Sequence, residues 1–119
     1  MAVIALVVVG GATRVMEAGL ACPDWPLCFG SFLPGRQMNL QVFLEWFHRL
    51  DAFVIGMTLL AQLVVAFLWR SSLPGWMLKA SLFLFLLVCL QGGLGALTVV
   101  NLVPSLVVTS HLALGLILI

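Results

Sequence analysis

The residues able to do chemistry are concentrated in one stretch, Glu45-Trp46-Phe47-His48-Arg49-Leu50-Asp51, within a chain of 119 residues that is 64% hydrophobic. Apolar sequence resumes at Ala52 and runs to Trp69 without a charge. That puts the cluster at the mouth of a membrane span, where ionisable groups are costly and mark functional sites. On a helix, Glu45 and His48 are three residues apart and share a face. A carboxylate one turn above an imidazole suits proton transfer or the stabilisation of a developing positive charge. It also has a purely structural reading, as an acid near a helix N-terminus four residues before Arg49.

The elements that must position these groups follow from hydropathy. With 8% charged residues and a mean hydropathy of +1.28, the chain has too little polar surface to coat a soluble globule. An all-α integral membrane protein is expected, with spans at about 1–13, 45–69, 77–100 and 105–119 and a polar loop over 14–44. The loop holds Arg14, Glu17, Asp24 and Arg36, and Cys22 and Cys28 bracket Pro-Asp-Trp-Pro-Leu within it. The chain enters a helix between Asn39 and Leu44, with Asn39 or Gln41 as the start. Pro74-Gly75 breaks the chain after the second span, Trp69, Trp76 and Lys79 act as interfacial anchors, and Pro104 marks the last turn. Short turns predict an up-down four-helix transmembrane bundle. The terminal spans reach only about 20 Å, against a hydrocarbon core of roughly 30 Å, which suggests part of a longer chain or a compact half-size protein. The apolar start has no basic residue before it, so no secretory signal peptide is expected. Five bases, four acids and no basic run argue against a nucleic-acid partner.

Two histidines occur in the chain, His48 and His111. If the spans alternate in direction, both lie on helices that run inward from the loop side, and their depths differ by about 3 Å. Two imidazoles on different helices at one level are what a haem iron needs as axial ligands, with the bundle providing a dry slot. Gly10, Gly11, Gly56, Gly92, Gly93, Gly95 and Gly115 lie near that level. They suit the approach of a flat macrocycle and equally suit close helix packing. Arg14, Arg36 and Arg49 are candidates to pair with haem propionates or to snorkel at the interface. Cys22 and Cys28 are best stabilised as a disulfide, worth about 2–3 kcal/mol in the chain-entropy model, which places the loop outside the cytoplasm. Cys89, inside the third span, reads as packing.

On these residues the chain resembles the N-terminal half of haem A synthase, in a form like that of cyanobacteria. The resemblance rests on Gly10-Gly-Ala-Thr-Arg14, Met16-Glu-Ala-Gly19, Cys22-Pro-Asp-Trp-Pro-Leu-Cys28, Gln37-Met-Asn39, Glu45-Trp-Phe-His-Arg49, Gln91-Gly-Gly-Leu-Gly95 and Thr109-Ser-His111. It implies half of a pseudo-symmetric eight-helix fold in a bacterial plasma or thylakoid membrane, with the long loop on the extracytoplasmic side. His48 and His111 would be axial ligands of the substrate haem, with Arg49 also in contact with it, Glu45 the catalytic carboxylate, and Cys22–Cys28 the outer-loop disulfide. The implied reaction is oxidation of the haem O methyl group to a formyl group, giving haem A for terminal oxidase assembly. Haem b would be bound only by the C-terminal half. Implied partners are membrane lipid, haem O synthase, an electron-transfer protein and a second copy or second half. Three alternatives are a b-type electron-transfer cytochrome module, a quinone-linked membrane disulfide oxidoreductase and a purely structural membrane subunit.

Overall fold

The computed structural model describes residues 2–102 and 104–118. Four helices carry the fold: α1 (Ala2–Val15), α2 (Leu40–Leu68), α3 (Gly75–Val100) and α4 (Ser105–Ile117). A single 3₁₀ turn, Gly35–Gln37, interrupts the long loop. Among the described residues, extended pairing is limited to one isolated bridge between Cys28 and Ser31.

Each helix boundary has a local cause. Asn39 is extended, and its side-chain oxygen accepts from the Val42 amide at 3.0 Å, so α2 is capped at Asn39. The helix therefore begins within the expected 39–44 stretch, ahead of the span proper, and Glu45 sits in its second turn. By contrast, α1 continues two residues past the expected end at 13. Thr13 bonds back to the Val9 carbonyl at 2.9 Å, and Arg14 lies in the last turn, where a cation complements the helix dipole. Pro74 and Pro104 stand just ahead of α3 and α4, positions where their missing amide costs nothing.

The helices pack in sequence, α1 on α2, α2 on α3 and α3 on α4, with a slighter contact between α4 and α1. Successive helices run antiparallel, so α2 and α4 stand across the bundle from each other and both descend from the loop side. At the far end, Gln62 of α2 donates to Ser81 of α3 at 3.2 Å. Large apolar side chains face outward, among them Phe53, Phe67, Phe83, Leu86, Leu106 and Leu112, while Thr13, Glu45 and Ser81 are buried. That arrangement fits lipid as the solvent, where helix association depends on small residues and interhelical hydrogen bonds. α2 and α3, at 29 and 26 residues, are each long and apolar enough to cross a membrane, and α1 and α4 are shorter apolar helices. The chain is a helical membrane protein.

Candidate functional site

The two histidines meet across the bundle. His48 lies eight residues into α2 and His111 six residues into α4, and their ring centroids are 6.4 Å apart with the planes at 89°. Two imidazoles bound on opposite sides of one metal at about 2 Å hold their ring centres roughly 6 Å apart. Both Nδ1 atoms are buried without a hydrogen-bond partner. Each ring is also backed by the main chain of a neighbouring helix. A Cβ added at Gly10 of α1 would lie 2.8 Å from His48 Cε1, and one at Gly95 of α3 would lie 3.4 Å from His111 Cε1. Among the glycines at this level, an added Cβ at Gly11, Gly56, Gly92 or Gly93 would meet nothing within 4 Å. Gly10 is thus a position where close approach demands a missing side chain, as is Gly115, where an added Cβ would lie 2.8 Å from Gln91 Nε2.

Glu45, one turn nearer the loop than His48, is 4% exposed and has a partner on each carboxylate oxygen. Its Oε2 accepts the Cys22 amide at 2.7 Å, and its Oε1 pairs with Arg49. Arg49 in turn donates to the carbonyls of Asp24 and Leu27, each at 2.6 Å, and of Cys22 at 3.5 Å. The structural reading of Glu45, an ion pair at i+4, is therefore realised, and Arg49 spends its donors on the loop. Arg14 and Arg36 are exposed.

The loop these groups hold is closed by the Cys22–Cys28 disulfide, with Cα atoms 4.8 Å apart. Asp24 closes the next turn by accepting the Phe29 amide at 2.7 Å and the Gly30 amide at 2.8 Å. The Gly30 amide is the main reason its carboxyl stays ionised below the usual range, opposed by desolvation and assisted by Phe29 and Arg49. Trp46 Nε1 donates to the Phe32 carbonyl at 2.5 Å, and Gln41 Nε2 to the Met16 carbonyl at 3.1 Å. Sequence reasoning did not single out Gln41, Trp46 or Asp24 as loop anchors. The signal was present in Gln41, Glu45 and Arg49, which recur every four residues along one face of α2.

The family model for the cytochrome oxidase assembly protein COX15-CtaA matches residues 1–119. The chain belongs to that family. Among its relatives, the heme A synthase of Shewanella oneidensis is 34% identical over 92% of this chain and 37% of its own length. The heme A synthase of Bacillus pumilus is 35% identical over 97% of this chain and 38% of its own. A protoheme IX farnesyltransferase of Haloarcula marismortui is 34% identical over 93% of this chain and 23% of its own. This chain accordingly spans less than two fifths of the length of these relatives. No solved structure matches it.

Family membership implies haem, and the residues present fit it. The centroid separation of the two imidazoles would admit a metal between them, and both Nδ1 atoms are buried without a partner. His48 and His111 are the residues that would hold an iron at this level of the bundle, and Glu45 is the buried carboxylate one turn nearer the loop.

Proposed function

We propose that this chain is the substrate-side half of a haem A synthase, binding haem O between His48 and His111 while its methyl group is oxidised to a formyl group. The carrying observation is the pair of imidazoles 6.4 Å apart on two diagonal helices. The names of the relatives support the reaction, since several are heme A synthases matched over nearly the whole of this chain. Successive oxidation of the methyl carbon would pass its electrons and protons to an acceptor outside this chain and take its oxygen atom from outside it, while the bound macrocycle would supply the redox-active group that the chain orients.

The chain supplies orientation and charge. His48 and His111 fix the tilt and depth of the macrocycle, and apolar helices exclude water around it. Glu45 offers a negative charge toward a carbon that becomes electron-poor. A carboxylate presents about four lone-pair directions, and Cys22 and Arg49 occupy only two, so capacity remains to accept a proton. The disulfide favours an oxidising compartment for the loop, hence its extracytoplasmic placement. The farnesyltransferase relative supports a haem O synthase as the supplier of substrate. The electron-transfer haem b site belongs to a second half, so activity calls for that half or a second chain alongside this one.

The test is an optical spectrum and haem extraction of the detergent-purified chain beside His48→Ala and His111→Ala. A low-spin spectrum lost in both variants is expected, and haem O or haem A in the extract separates a synthase from an electron-transfer cytochrome. Glu45→Gln should keep haem bound and stop haem A formation in the assembled enzyme. A variant that still made haem A would remove Glu45 from the chemistry.

A further inference from the structure

We propose that Gln91 is a positioning residue for His111 and that Gly115 is the gap through which it acts, a proposal that rests on His111 being a haem ligand. Gln91 lies on α3, and its Nε2 crosses to α4 to donate to the main-chain carbonyl of His111 at 2.7 Å. A Cβ on Gly115 would stand 2.8 Å from that same Nε2. Any larger residue at 115 would displace the amide from the carbonyl.

The orientation of the amide is fixed by chemistry. A carbonyl only accepts, so the NH2 group must face His111, and the oxygen must face away. That oxygen, Oε1, is buried without a partner. An unpartnered buried acceptor is a cost to the fold, and it accompanies the bond to His111. A polar side chain in an apolar span that bonds across to a neighbouring helix is also the kind of group that sets helix position in a membrane.

One helical turn further along the same face of α3, Gly95 faces the His111 ring, where an added Cβ would be in ordinary contact at 3.4 Å from Cε1. Gln91 therefore holds the main chain of residue 111 and through it sets the depth and rotation of the ligand, while Gly95 leaves its imidazole in ordinary contact with α3. His48 is supported differently. Its ring rests on Gly10, and among the described residues no side chain bonds to its backbone. The two axial positions are thus unlike, with the α4 side fixed through the main chain.

The experiment is a titration of the detergent-purified chain with haemin, read by affinity and by the ferric low-spin EPR signal, whose largest g value responds to imidazole orientation. Gln91→Leu and Gly115→Ala should each shift that signal and weaken binding about tenfold. Because both substitutions break one contact, the double variant should be no weaker than either single. Gly115→Ala favours the helix itself, so its loss of affinity would not reflect unfolding. Gln62→Leu, which removes the comparable Gln62–Ser81 bond far from the histidines, should leave signal and affinity unchanged. A parent chain that takes up no low-spin haem overturns the ligand assignment and this proposal with it. A parent that binds haem while Gln91→Leu keeps the same signal and affinity overturns the positioning role alone, as do losses that multiply in the double variant.

Discussion

The imidazole of His48 lies against the backbone of Gly10, so closely that a methyl group there would be 2.8 Å from Cε1. Alanine is the better helix former by about 1 kcal/mol, so Gly10→Ala should stabilise α1 in isolation. In the bundle it must push the ring off its axis. Haemin affinity should fall at least tenfold in Gly10→Ala and stay unchanged in Gly11→Ala, where an added Cβ meets nothing within 4 Å. Equal behaviour of the two variants would show that the ring has room to relax.

Arg49 should matter more for stability than for haem contact. It joins the buried Glu45 carboxylate to three loop carbonyls, and its own side chain is only 15% exposed. Arg49→Ala leaves Glu45 as an uncompensated buried charge, a class of change that costs about 3–5 kcal/mol. Arg49→Lys should rescue little, because one ammonium cannot replace the planar fork that reaches several acceptors at once. Unfolding in mild denaturing detergent, followed by protease cutting between Met16 and Asn39, reads this directly. Early cutting in Arg49→Ala and protection in Glu45→Gln, which keeps an acceptor for the Cys22 amide, is the expected pattern.

Hydropathy and spacing made the bundle legible, because Pro74, Pro104 and Asn39 are strong local signals and four apolar runs leave few ways to fold. The depth match of His48 and His111 was legible for the same reason, since rise per residue alone sets it. The tertiary partners were not. Gln91 reads as one polar residue in an apolar run until α4 is placed beside it, and Arg49 reads as an interfacial cation until the loop folds back over α2. Among seven glycines near one level, only the packing of the helices separates Gly10, Gly95 and Gly115 from those that face open space. Such partnerships depend on helix rotation, which a hydropathy pattern of nearly uniform apolar helices does not encode.

Reduction of the disulfide tests whether the loop is a clip or part of the haem seat. Cys22 and Cys28 are fully buried at the base of the loop, and the histidines are held by α1 and α3 instead. Cys22→Ser should destabilise the loop by roughly 2–3 kcal/mol in the chain-entropy model. Protease cutting between Met16 and Asn39 should accelerate, while the low-spin spectrum of added haemin persists. Loss of that spectrum on reduction would mean that the loop itself sets the histidine geometry.

The loop should also carry an acid-sensitive element in Asp24. Its carboxylate accepts the Gly30 and Phe29 amides, which holds its folded pKa below the ordinary value of 3.8. A group whose folded pKa is depressed contributes stability that is fully present above the unfolded value and lost as pH falls through the folded one. Loop protection should therefore be flat from neutral pH down to about 4 and decline only in stronger acid. Asp24→Asn offers one acceptor oxygen where two are used, so its loop should be more readily cut at neutral pH and show no further loss over the acid range where the parent declines. Limited proteolysis with an acid-active protease below pH 4 and a neutral protease above it separates the two behaviours. A parent loop whose protection changed between pH 5 and 7 would assign the sensitivity to a group other than Asp24.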